Sequence, residues 1–362
     1  MAYLNGVSAR LSEIAAAHRL RSIRVRTQDA LTDFSTNDYL GLAHEPAVLA
    51  ALHAASQAGS SGSRLLSGSH AAHADLEVRL AAWLGRERAL LFSSGYLAAL
   101  GALPVLAAYT RVAYSDALNH ACLIDGLRLA RIERTVYPHL RLPLKAERTP
   151  GALIVTESVF GMDGDVANIA DLLADLNDDD VLLVDEAHAL GVGGPGGAGL
   201  AAGLRDERIV VLGTLSKSLG ALGGFVAGPA PLVELLVNTA RSFIFDTAIP
   251  PALANAASVA LEFAERDERR RTTLHALVQR LILGLRARGI ETTAVYPSPV
   301  VPIAAGSEAA ALALAAKCLA AGFIAPAIRP PTVVPGASRL RLSVSAVHTE
   351  AEIDGLLNVL AG

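Results

Sequence analysis

The chain has 362 residues, of which 52% are hydrophobic but only 4% aromatic, and a formal net charge of −4. That length leaves ample core for a large unit and a smaller one, built mainly from Ala, Leu and Val, and the charge gives no electrostatic case for nucleic acid. Two cysteines, Cys122 and Cys318, are too few for a disulfide framework or a cysteine-rich zinc site and fit a reducing cytoplasm.

The first residues, among them Asn5, Ser8, Arg10 and Ser12, lack the apolar core of a secretion signal. Apolar side chains at helical spacing over 4–20 predict an amphipathic arm. Arg19, Arg21, Arg24 and Arg26 follow, either as a solvated face or with one arginine turned into a carboxylate site. Residues 34–42 predict a short strand and a turn, and Pro46 opens a helix running to 58. The stretch 59–69 is too rich in Gly and Ser for a regular element. In the helix after it, His70, His73 and Glu77 share a face, but no further ligand is evident nearby and no metal site is expected.

Strands and helices then alternate: strands at 88–92, 111–114, 152–156 and 181–184, with helices from 96 onward, at 121–130 and at 169–176. The apolar stretch 97–109 is too short to span a bilayer and contains Pro104. Two further strands, 208–212 and 223–228, flank Lys217. This pattern predicts a mainly parallel sheet buried on both faces, with ligands at the carboxyl ends of its strands. Ser93, Asp116, Glu157, Asp185 and Lys217 lie just past predicted strand ends and are expected to converge on one crevice. After Pro250 and Pro251, helices at 252–264 and 267–288 and strands at 300–303 and 340–344 predict a smaller α+β unit.

Several stretches carry chemistry. A lysine between two buried strands is costly as a free ammonium, so Lys217 is either a loop lysine that reaches solvent or one covalently bonded to an aldehyde cofactor. Ser93-Ser94-Gly95-Tyr96, between a strand and a helix, could seat a phosphate at the helix N-terminus. Asp185-Glu186-Ala187-His188 follows an apolar strand, where an ionised Asp can keep a pyridine nitrogen protonated. A helicase reading of that motif needs a phosphate loop that the sequence lacks. Gly191 to Gly196 formally matches Gly-x-Gly-x-x-Gly, but Pro195, Gly197 and Gly199 predict a mobile loop rather than a dinucleotide site. His120 and Cys122 could form a nucleophilic pair, although Cys122 falls inside a predicted helix; stacking of His120 on an aromatic ring is the other reading. Alternation along the last strand puts Arg339 and Arg341 on one side, where a guanidinium can hold a carboxylate.

Together these stretches resemble the α-oxoamine synthase family of pyridoxal phosphate (PLP) enzymes, within the type I aspartate aminotransferase fold. The likeness runs from Arg21 to the C-terminus through Ser-Thr-Asn-Asp-Tyr-Leu-Gly-Leu at 35–42, Gly-Ser-Arg-Leu-Leu-Ser-Gly at 62–68, Thr-Glu-Ser-Val-Phe-Gly-Met-Asp-Gly-Asp at 156–165, Asp-Glu-Ala-His at 185–188 and Thr-Leu-Ser-Lys at 214–217. Ala-Ile-Arg-Pro-Pro-Thr-Val at 327–333 is most similar to the biotin-pathway branch. The resemblance implies an α/β fold in which helices cover both faces of a mainly parallel central sheet, with a smaller C-terminal α+β domain. It divides the chain into an arm (1–38), a large PLP-binding domain (39–249) and a small domain (250–362).

It further implies a cytoplasmic homodimer that condenses L-alanine with a pimeloyl thioester, carried on coenzyme A or an acyl-carrier protein, with loss of CO2. By matching motif, Lys217 would bond the cofactor aldehyde and act as general base, Asp185 would pair with the pyridinium, and His188 would contact the ring hydroxyl. His120 would stack on the ring; Ser94, Gly95 and Tyr96 would lie at the phosphate, with Thr214 nearby. Arg341 would bind the amino-acid carboxylate, Asn37 would belong to the substrate site, and Arg21 and Thr332 would lie near the acyl substrate. One departure is Gly161, where members of the family commonly have Ser. The rivals are a sister synthase using glycine or another acyl thioester, a catalytically silent partner subunit, and, more distantly, a nicotinamide dehydrogenase.

Overall fold

The computed structural model describes residues 1–23, 25 and 31–361. Arg24 and Arg26 of the basic cluster lie outside the described residues. The main sheet has seven strands in the spatial order Arg88–Phe92, Gly224–Gly228, Ile209–Thr214, Val181–Asp185, Leu153–Glu157, Ala113–Asp116 and Arg134–Tyr137. Only Gly224–Gly228 runs against its neighbours; the other pairings are parallel. Successive side chains point to opposite faces, and both faces are dry. Leu182 and Val184 enter one hydrophobic cluster while Leu183 enters the other, and Ile154 and Val155 divide the same way. The continuous apolar runs in the sequence have this cause.

Two strands of the main sheet depart from the expectation. The one expected at 111–114 forms over Ala113–Asp116, so Asp116 ends the strand instead of following it. Arg134–Tyr137, which the sequence reading missed, is the edge strand, and its first three residues are exposed. With no buried face to fill on that side, it carries no apolar signature. The helices Gly95–Ala107 and Ala121–Ala130 form where expected. The helix beginning at Pro46 stops at His53, short of 58.

Pro251–Arg266 and Glu268–Arg286 are separate helices, broken at Asp267, whose carboxylate accepts the Arg270 N–H at 3.2 Å and caps the second. Beyond them lies a three-stranded antiparallel sheet of Ala327–Ile328, Ser338–Ser343 and Val300–Gly306. One continuous hydrophobic cluster includes Leu182 of the main sheet, Leu261 and Leu274 of the two helices, and Leu340 of the small sheet. The N-terminal helix Ala2–Ala16 forms, but Tyr3, Leu4, Val7 and Leu11 on it are exposed. The arm is pinned beyond that helix, where Arg19 forks onto Glu308 at 2.8 and 2.9 Å. Among the described residues no helix is long and apolar enough to cross a membrane.

The Gly191 to Gly196 stretch is not a mobile loop. It is a folded turn in which Gly191 N–H donates to Gly197 O at 2.7 Å and Gly199 N–H to Gly193 O at 2.9 Å, with Gly191, Val192 and Gly193 buried. Nor is it a strand–helix turn of the dinucleotide kind. His73 is committed through both ring nitrogens, to the His70 N–H at 3.0 Å and the Ile249 carbonyl at 2.8 Å, while Glu77 pairs with Arg64 at 2.8 Å. Separately, Ser60 Oγ donates to Ile249 O at 3.1 Å and the Ala248 N–H to Gly62 O at 3.0 Å, which holds the Gly/Ser-rich segment against 248–249.

Candidate active site

Parallel pairing of Leu153–Glu157 with Val181–Asp185 sets Glu157 directly beside Asp185 at the carboxyl ends of both strands. The next strand, Ile209–Thr214, delivers Lys217 three residues past its end, in the turn that leads into Gly224–Gly228. These side chains open onto a cavity of about 230 Å³. Ser94, Gly95, Tyr96 and Thr214 line it, as do His120, Asp185, His188 and Lys217. Glu157 and Cys122, to which no cofactor role was assigned from the sequence, line it too.

Two members of the expected crevice are elsewhere. Ser93 donates its hydroxyl to Asp246 and lines a different, smaller pocket. Asp116 accepts from His139 Nδ1 at 2.8 Å and from the Leu140 N–H at 2.8 Å, on a third cavity. Because the strand runs on to Asp116, its carboxylate is turned toward the 138–140 turn and away from Lys217.

The cavity has two polar ends. At one, Ser94 caps the helix Gly95–Ala107, its hydroxyl accepting the Leu97 N–H at 3.2 Å. The first helical bond runs from Ala98 to Ser94, so the N–H groups of Gly95 and Tyr96 precede the ladder and suit an anion. The start of Gly224–Gly228 packs tightly here: a Cβ on Gly224 would stand 2.3 Å from the Gly95 nitrogen. At the other end two carboxylates are buried side by side. Glu157 is pushed up to about 8 by burial and then by Asp185; Asp185 is also raised by burial, with Lys217 and the Ala187 N–H opposing. Burial brings the Lys217 ammonium down to about 8 against the pull of both carboxylates. With one ammonium beside two buried carboxyls that are both pushed up, a second positive group at this end of the cavity would be favoured.

His120 is exposed toward the opening, and its Nδ1 accepts the Cys122 N–H at 3.2 Å. The Cys122 thiol lies 3.0 Å from that nitrogen, but burial pushes it far up, with Asp185 and Glu157 adding to the rise. A Cys–His nucleophile is thereby disfavoured. His188 is buried, and its imidazole falls well below the ordinary range, first through burial and then through Lys217 and Arg341.

Arg339 and Arg341 do share a side of their strand, both turned to the segment 161–163. Arg339 donates to Met162 O at 3.2 Å and pairs with Asp163, and Arg341 donates to Gly161 O. Buried Arg341 also reaches Ser343 Oγ at 2.8 Å and Asn37 Oδ1 at 3.1 Å. Arg21 and Thr332 are brought together, Arg21 Nη2 lying 3.4 Å from Thr332 Oγ1 and 3.2 Å from Arg329 O. They do not line the Lys217 cavity; Arg21 lines another, of about 560 Å³, against the helix Glu308–Ala320.

Residues 29–360 match the aminotransferase class I and II family. The 8-amino-7-oxononanoate synthase of Anaeromyxobacter dehalogenans is 47% identical over 344 residues, covering 92% of this chain and 86% of its own. The chain belongs to this synthase family of class I and II aminotransferases. Among solved structures, a serine palmitoyltransferase of S. paucimobilis with bound PLP superposes with a TM-score of 0.90 at 27% identity, covering 99% of this chain and 97% of that one. The 8-amino-7-oxononanoate synthase of Francisella tularensis gives a TM-score of 0.81 at 26% identity, covering 92% and 98%. The family's fold is the type I PLP-dependent fold, and its cofactor is PLP. The cavity fits that group: an anion site at a helix N-terminus, an amine to take the aldehyde, and a pair of buried carboxylates short of one cation.

Proposed function

We propose that the chain catalyses the PLP-dependent decarboxylative condensation of L-alanine with a pimeloyl thioester, yielding 8-amino-7-oxononanoate, CO2 and the free thiol. The carrying observation is that Lys217, Asp185 and the Gly95 helix N-terminus open onto one cavity in a chain of this family. When bound, PLP draws off the electron pair left at the α-carbon.

The chain's own residues supply the rest. Ser94, Gly95, Tyr96 and Thr214 hold the phosphate. Asp185, backed by Glu157, provides the countercharge for the pyridine nitrogen, and His120 covers the ring. Lys217 would take the aldehyde, and its amine, when free, would lift the α-proton of alanine, a role suited to a group brought down to about 8. Arg341 and Asn37 orient the alanine carboxylate, His188 faces the ring hydroxyl, and Arg21 with Thr332 receives the far end of the acyl chain. We place the arm at 1–38, the large unit at 39–249 and the small one at 250–362, in a cytoplasmic homodimer.

The test is a product assay with alanine or glycine against a panel of thioesters on coenzyme A and on acyl-carrier protein. The expected result is 8-amino-7-oxononanoate from alanine and the pimeloyl thioester. Preferred turnover of glycine would identify a sister synthase, and no uptake of PLP would identify a silent subunit.

A further inference from the structure

Four hydrogen bonds, running through Asn37, Tyr39 and His188, connect Arg341 to Lys217, and their directions can be assigned. Arg341 Nη2, which can only donate, lies 3.1 Å from Asn37 Oδ1. That contact fixes the amide with its oxygen inward, since a flipped amide would set donor against donor. The same oxygen lies 3.0 Å from Tyr39 Oη and must accept its proton. Tyr39 is buried, and burial raises its phenol, so the hydroxyl keeps the hydrogen it donates. Tyr39 Oη also lies 2.7 Å from His188 Nδ1. With the phenolic hydrogen spent on Asn37, that contact requires an Nδ1–H donor. The neutral ring then leaves Nε2 as an acceptor, and Nε2 lies 2.8 Å from Lys217 Nζ.

In this chain the ring occupies the space that a side chain on residue 161 would take. A Cβ built on Gly161 would lie 2.2 Å from His188 Nε2 and 2.7 Å from Cδ2. The ring is held at both nitrogens, so it could move aside only by giving up its bond to Lys217, to Tyr39 or to both. Gly161 does not have a positive φ, so its backbone does not demand glycine. The absence of a Cβ serves the imidazole.

We propose that Arg341, Asn37, Tyr39 and His188 form a directional relay that fixes the His188 tautomer and delivers an acceptor to the Lys217 amine, and that Gly161 provides the space that completes it. Tyr39 and Gly161 are positioning residues in this account. It rests on the reading of Lys217 as the reactive amine, and it ties the amine to the arginine assigned to the substrate carboxylate. An acceptor facing the ammonium favours its charged form, so the relay holds up an amine that burial depresses.

Tyr39→Phe and Gly161→Ala, singly and together, test this in the full-length chain freed of cofactor. The rate of Lys217 acetylation by acetic anhydride is followed against pH by peptide mass spectrometry. The other groups facing Lys217 are Asp185, Glu157, Cys122 and Arg341, and those facing His188 include His120; both substitutions leave them in place. Each single variant is expected to raise the acid dissociation constant of Lys217 about three- to tenfold, the worth of one hydrogen bond. The double variant should move it no further than the larger single effect, because both act through one ring. An unchanged midpoint in either variant that keeps the wild-type circular dichroism, or additive shifts in the double variant, would overturn the relay. Failure of the functional reading is separately visible: a wild-type chain that does not take PLP onto Lys217 would defeat that reading whatever the titration shows.

Discussion

Two carboxylates and one ammonium share the buried end of the cavity, and their mutual dependence makes Asp185 the most informative position. Replacing it by Asn removes the stronger of the two attractions on Lys217, so the amine should drop below about 8. It should also remove a charge-assisted bond to the pyridine nitrogen, worth about 1.5–3 kcal/mol. PLP titration of Asp185→Asn is therefore expected to show affinity weakened by about ten- to hundredfold; an unchanged affinity would move the countercharge to Glu157. That Lys217, Asp185 and His188 share one cavity was legible in the sequence because each sits near the end of an apolar run and belongs to a motif. Glu157 gave the same strand-end signal, but its role depends on lying beside Asp185 in register. Tyr39 lies inside the motif at 35–42, but the sequence shows no role for it, since its partner His188 is 149 positions away. Distances across a fold of that kind leave no periodic trace in a sequence.

At the scale of elements, the segment 158–167 joins the two sheets. Its Asp163 meets Arg339 of the small sheet, and its Asp165 accepts from His139 Nε2 at 2.6 Å while His139 Nδ1 holds Asp116 of the main sheet. Burial would lower His139, but hydrogen bonds and charge from both aspartates outweigh it and hold the imidazole up at about 10. A folded-state value above the unfolded one, about 6.5, contributes stability that is complete below pH ~6.5 and is lost as the pH rises through about 10. His139→Gln cannot carry that charge. Its deficit in thermal midpoint relative to wild type should be largest near pH ~6 and close to zero above pH ~10. A deficit independent of pH would mean that His139 is held neutral. The bridge was not foreseen, because Asp116 was expected at the crevice and the edge strand Arg134–Tyr137 that leads to His139 is too exposed to show an apolar run. The buried parallel strands were legible for the opposite reason, being apolar on both faces.

For the whole molecule, the order of strands and helices carried the fold class. What it could not carry was the closeness of the three C-terminal strands to the main sheet, where Arg341 of the last strand donates to Gly161 O. That contact brings the proposed carboxylate site within one hydrogen-bond chain of the amine, and it depends on packing between segments 180 positions apart. Pro195, Gly197 and Gly199 misled about mobility because composition reports glycine content and not the hydrogen bonds that lock Gly191 to Gly197. If Lys217 bonds the cofactor aldehyde in this cavity, borohydride treatment of the PLP-loaded protein will fix the bond, and peptide mass mapping will locate it. A reduced pyridoxyl phosphate adduct on the peptide carrying Lys217, and its loss in Lys217→Ala, is the predicted result; an adduct on Lys145 or Lys317, or none at all, would contradict it.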